Sequence, residues 1–132
     1  MNKKEAALDT SILIDYFKFV PEVRSRFGDF DYFWIPVPVI AEMEFGFIKV
    51  KNQKKCESQF RVFLSNKDVR VLAAGEKAAR IFAGIKYELM RVGAMIPIND
   101  IWIAACCLAD NKLLVSRDSH FQRVSGLHVE IW

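Results

Sequence analysis

Three aspartates in this 132-residue chain stand where strand-and-helix folds do chemistry. Asp9 ends the apolar run Ala6-Ala7-Leu8. Asp118 lies two residues beyond Ser116, at the end of Leu113-Leu114-Val115-Ser116. Asp100 opens the apolar stretch Ile101–Ala109. Ligands of open α/β sheets collect beyond the carboxyl ends of the strands, so these distant acids can meet at one rim. Gathered carboxylates repel, by about 4 kcal/mol for two unit charges roughly 4 Å apart at an effective dielectric near 20. Such a cluster needs a shared proton or a cation. Hard oxygen donors suit Mg²⁺ or Mn²⁺, and no Cys/His group has zinc-type spacing. A divalent ion in such a site turns water into a nucleophile and steadies the charge of a phosphodiester under attack.

Each acid taken singly has a plainer reading. Asp9 before Thr10-Ser11 suits a turn or cap, Asp100 suits a helix N-terminus, and Asp118 suits a loop. Their convergence carries the argument. Glu42 and Glu44 share the second turn of a helix about 200° apart, and periodicity leaves open which faces the site. An aspartyl-phosphate phosphatase would want a second Asp two residues after the first, and Ser11 occupies that place.

The elements that position these residues follow from the pattern. Ala6–Leu8 predicts a strand, with Thr10 and Ser11 capping a helix through Phe17. Val23–Phe27 suits a short helix between Pro21 and Gly28. Phe33–Val37 predicts a second buried strand, short or irregular because of Pro36 and Pro38. From Val39, the residues Ile40, Met43, Phe47 and Val50 recur at helical spacing. A break near Asn52 precedes a helix over about Lys54–Leu64, and Val69–Leu72 suits a strand. Gly75 opens an amphipathic helix with Ala78, Ile81, Phe82, Ile85 and Leu89 on one face, closed by Gly93. Ile101–Ala109 reads as a central buried helix, Leu113–Ser116 as a buried strand and Val129–Ile131 as a weaker final one. Alternation of strands and helices predicts an α/β fold: one domain over residues 1–132, with a mainly parallel central sheet flanked by helices.

Composition is consistent with this. Hydrophobic residues make up 52% of the chain, enough for a core and against disorder. A net charge of +3 and a pI of about 8.8 suit a polyanionic partner. Lys49, Lys51, Lys54 and Lys55 form a basic cluster, read as a solvated surface or a contact to RNA phosphates. Cys106 and Cys107 lie in an apolar run and read as core residues of a reducing compartment. No apolar leader follows Met1-Asn2-Lys3-Lys4-Glu5 and no stretch is long enough to span a bilayer, so a cytoplasmic protein without membrane contact is expected.

Four segments together resemble the PIN-domain ribonucleases, in particular the VapC-type toxins of toxin–antitoxin pairs. They are Leu8-Asp9-Thr10-Ser11-Ile12-Leu13-Ile14, then Val39-Ile40-Ala41-Glu42-Met43-Glu44-Phe45-Gly46, then Ile98-Asn99-Asp100-Ile101-Trp102-Ile103-Ala104-Ala105, and Leu114-Val115-Ser116-Arg117-Asp118 with Ser119-His120-Phe121. They come in family order across most of the chain. The resemblance implies an acidic site of Asp9, Glu42, Asp100 and Asp118, and it selects Glu42 over Glu44. It implies that Thr10, Ser11 and Ser116 orient carboxylates and that Gly46 admits a close approach. It implies an endoribonuclease dependent on Mg²⁺ or Mn²⁺, an RNA substrate, a cognate antitoxin and a homodimer. Ser116 stands where the family often has Thr. A stand-alone RNA-processing nuclease or a catalytically silent PIN-like binding module are the alternative readings. Asp15 reads as an outer neighbour of the site, Arg117 as the partner of a nearby acid, and His120 as a packing or surface residue.

Overall fold

In the computed structural model, which describes residues 3–132, the strands form one parallel sheet. Met1 and Asn2, part of the charged start read above, lie outside the described residues. The elements run β1 (Glu5–Leu8), α1 (Thr10–Phe17), α2 (Pro21–Phe27), β2 (Tyr32–Pro36), α3 (Val37–Ile48), α4 (Gln53–Ser65), β3 (Val69–Leu72), α5 (Glu76–Arg91), α6 (Ile98–Ala109), β4 (Leu114–Ser116) and β5 (Val129–Ile131). The sheet order is β3-β2-β1-β4-β5. The chain first winds outward from β1 to β3, then returns through α5 and α6 to place β4 on the other side of β1. That reversal opens a crevice beyond the carboxyl ends of β1 and β4, the usual ligand position in such sheets.

The expected elements are present, with differences at their ends. Val37 begins α3 rather than ending β2. Pro36 takes the extended N-cap conformation and Pro38 sits in the first turn of α3, where a missing N–H is harmless. The two prolines thus start the helix that carries Glu42. Thr10 and Ser11 do not cap α1. Asp9 holds the N-cap position, and no side chain caps that end. Helix α5 stops at Arg91, and Gly93 follows at φ 68°, a left-handed conformation that only glycine adopts freely.

The core lies between the sheet and its helices. Ala6, Ala7, Leu8, Leu114 and Val115 are fully buried on the central strands, as near-continuous apolar runs in a two-sided parallel sheet must be. Ile101, Ile103, Ala104, Ala105, Cys106 and Cys107 are buried on α6. Burial pushes the thiol of Cys106 up to about 11 and that of Cys107 further, so both behave as apolar packing. Among the described residues, no helix is long and apolar enough to cross a membrane.

Candidate active site

The pairing of β1 with β4 sets Ala7 opposite Leu114 and Leu8 opposite Val115. The next residue on each side is therefore Asp9 and Ser116, which are the buried polar side chains among the described residues. Ser116 Oγ donates to Asp9 Oδ2 at 2.7 Å and accepts the Asp118 amide at 2.9 Å. Ser11 Oγ donates to the same Oδ2 at 2.8 Å and accepts the Arg117 amide at 3.1 Å. One carboxylate oxygen is thus held by two hydroxyls, each braced by the loop that carries Asp118. Burial pushes the Asp9 carboxyl up, the hydroxyls and the Thr10 amide oppose this, and the charge of Glu42 adds to the rise.

Helix α3 brings in Glu42, whose Oε1 accepts a 2.6 Å hydrogen bond from Thr10 Oγ1. Helix α6 brings in Asp100 in its first turn. Asn99 Nδ2 donates to the Pro38 carbonyl at 3.2 Å and so ties the start of α6 to the start of α3. All four acids, with Thr10, Ser11 and Asn99, line one cleft of about 320 Å³. Glu44 does not line it. The ambiguity left by helical periodicity is thereby resolved in favour of Glu42 as the cleft-lining acid.

The electrostatics match the crowding. The Asp100 carboxyl rises from its ordinary 3.8 to about 7, first through burial and then through the charges of Asp9, Asp118 and Glu42. A carboxylate serving only the dipole of its helix would be held low instead. Oxygen donors that repel one another in a half-buried cleft fit a divalent cation, whose charge relieves the repulsion.

The neighbouring residues divide. Arg117 Nε lies 3.0 Å from Asp15 Oδ2, the ion pair expected from the sequence. Gly46 lines a groove next to Glu42, yet a Cβ added there meets nothing within 4 Å. Nothing among the described residues makes the close approach expected at Gly46. His120 is part-exposed, as expected of a surface residue, and it also stands against Asp118. Its backbone amide donates to Asp118 Oδ1 at 2.9 Å, and its Nδ1 lies 3.1 Å from that same oxygen. Among the described residues, Nδ1 of His120 is the one buried side-chain nitrogen or oxygen with no hydrogen-bond partner. Asp100, Asp118 and His120 each offer a donor atom within 4.8 Å of the others. The sequence signal for His120 was its place two residues after Asp118. Asn99 had only its adjacency to Asp100, and its partner lies 61 residues away.

Known proteins resemble this chain in sequence and in fold. The PIN domain family model matches residues 6–127. Ribonuclease VapC2 of Haemophilus influenzae is 34% identical over 128 residues, covering 95% of this chain and 96% of that protein. The crystal structure of VapBC2 from Rickettsia felis bound to a DNA fragment from their promoter contains a chain of similar fold. Its TM-score is 0.89 at 25% identity, covering 97% of this chain and 98% of that one. The DNA-bound VapBC structure from Salmonella typhimurium gives a TM-score of 0.88 at 26% identity over 99% of both chains.

Proposed function

The chain belongs to the PIN-domain family, and on that premise we propose that it is a metal-dependent endoribonuclease, the toxin of a toxin–antitoxin pair. Residues 1–132 form one nuclease domain in this reading. Asp9, Glu42, Asp100 and Asp118 hold the divalent ion, Mg²⁺ or Mn²⁺. The observation that carries the proposal is the convergence of all four carboxylates on one cleft, where burial and the other three acids also raise the Asp100 carboxyl. When bound, the cation supplies a nucleophilic water and neutralises charge on the phosphodiester.

The chain's own residues prepare the site. Ser116 and Ser11 fix the orientation of Asp9, and Thr10 fixes that of Glu42, so little reorganisation remains when the cation arrives. Asn99 holds α6 against α3, which sets the separation of Asp100 and Glu42. Lys18 and Lys55, beside Thr10 and Glu42 in the adjoining groove, attract the RNA backbone.

That groove, about 510 Å³, also bears on the antitoxin. Ile14, Phe17, Met43 and Phe47 give it an apolar lining, and it shares Thr10, Ile14 and Glu42 with the acid cleft. A partner segment laid along it would close the approach to Glu42, which supports inhibition by a bound antitoxin. The antitoxin partnership follows from the likeness to VapBC complexes, and a homodimer is proposed with it. An RNA substrate and free thiols support a cytoplasmic location in this reading.

The test is cleavage of total cellular RNA by the purified protein with Mg²⁺, with Mn²⁺ and with EDTA. Cleavage that requires metal and is lost in Asp9→Asn is expected. A folded, partner-free protein that cuts nothing in any of these conditions refutes the proposal.

A further inference from the structure

The four acids offer only oxygen, yet a nitrogen stands beside them. We infer that His120 supplies an imidazole nitrogen to the divalent ion held by Asp100 and Asp118, so that the site is a mixed oxygen–nitrogen donor set that prefers Mn²⁺ to Mg²⁺. This rests on the metal-dependent reading above.

The geometry begins with the backbone. Residues Ser119–Arg123 form a 3-10 turn directly after Asp118. The Asp118 carboxylate caps that turn by accepting the His120 amide. Phe121, fully buried, pins the turn to the core. The two side chains thus leave a braced backbone, which is what a preorganised ligand pair requires.

The imidazole is then unusually placed for a surface group. Its side chain is 41% exposed, but its Nδ1 is buried without a hydrogen-bond partner. A buried polar atom left unpaired is costly and demands an explanation. Asp118 Oδ1 lies 3.1 Å away without forming a hydrogen bond to it, and accepts the backbone amide of the same residue. Donor atoms of Asp100, Asp118 and His120 fall within 4.8 Å of one another. Ions bonded at about 2.0–2.2 Å need donors no farther apart than roughly twice that length, so small side-chain movements close the set.

The choice of ion follows from donor chemistry. Mg²⁺ favours oxygen and water, whereas imidazole nitrogen strengthens binding of first-row transition ions. His120 therefore discriminates between two cations that the carboxylates alone treat alike.

The experiment loads the purified protein with Mn²⁺ and records electron spin echo modulation from coordinated nitrogen. Wild type is expected to show imidazole modulation. His120→Gln is expected to bind Mn²⁺ about tenfold more weakly without that modulation, while its Mg²⁺ affinity changes less than about twofold. His120→Ala, with an unchanged circular dichroism spectrum, guards against an effect of the amide. The chain has two histidines. His128 precedes β5 and pairs through its carbonyl with Leu114 at the amino end of the sheet, so His128→Gln should retain the signal. Bound Mn²⁺ that Asp100→Asn abolishes, with no nitrogen modulation in wild type, overturns the role of His120 and leaves the acid site standing. Modulation that survives in His120→Gln overturns it as well. A folded wild-type protein that binds no Mn²⁺ overturns both.

Discussion

Replacing Asp100 by Asn should make the metal-free protein more stable at alkaline pH, although it removes a residue of the proposed site. The folded-state carboxyl titrates near 7 and the ordinary value is 3.8, so the folded chain holds this proton more tightly than the unfolded chain. Stability contributed by the group is therefore lost as pH rises from about 4 to about 7, and the penalty is complete above that. Taken at face value the displacement corresponds to roughly 4 kcal/mol. Asp100 is only half-buried, and discounting by half or more for solvent screening leaves about 1–2 kcal/mol. The lost contact with the N-terminus of α6 works in the opposite sense and is smaller, about 0.5 kcal/mol. In EDTA at pH 8, Asp100→Asn should then melt roughly 2–5 °C above wild type, and the two should converge near pH 4. Thermal unfolding by circular dichroism across that range is the assay. Saturating Mn²⁺ should reverse the order, because an ion at about 100 times its Kd stabilises wild type by about 2.7 kcal/mol and the variant hardly at all. A variant less stable than wild type at pH 8 in EDTA would refute the reasoning, since Asp100 would then be satisfied rather than strained by its neighbours.

Other perturbations read other parts of the site. Ser116→Ala strips a buried hydroxyl from Asp9 and from the Asp118 amide; urea unfolding should show a loss of about 1–3 kcal/mol. Thr10→Val frees Glu42 on the partly exposed first turn of α1, and calorimetric titration should show Mn²⁺ binding weakened by on the order of tenfold with unfolding little changed. A thiol reagent should label Cys56 in the native protein and reach Cys106 and Cys107 only after denaturation, because burial holds the latter pair as thiols; mass spectrometry of tryptic peptides reads this directly.

What was legible in the sequence divides along a physical line. Runs such as Leu114-Val115 and the periodic face of α5 disclose strands and helices because burial acts locally along the chain. Asp9 and Asp118 reach one cleft because residues just past buried strands emerge at one rim. Side-chain partnerships are not legible in pattern and spacing, and only the family resemblance points to hydroxyls that orient carboxylates. Thr10 and Ser11 suggest caps, yet their hydroxyls serve Glu42 and Asp9, since the β1–β4 register and the seating of α3 decide which acceptor lies nearer. The choice between Glu42 and Glu44 depends on how α3 rotates against the sheet, a tertiary quantity invisible to helical spacing. Asn99 bonds to a carbonyl that only Pro38 at the start of α3 brings into reach. The unpaired nitrogen of His120 likewise arises from the turn that Asp118 caps, and no composition or period signals it.

The central claim is that four carboxylates act as one cation site, and its most direct test is Mn²⁺ titration by calorimetry into wild type, Asp9→Asn, Glu42→Gln, Asp100→Asn, Asp118→Asn and Glu44→Gln, each verified as folded. Binding weakened at least tenfold in the first four variants and unchanged in Glu44→Gln is the predicted result. Binding of equal strength in all five variants would contradict the account.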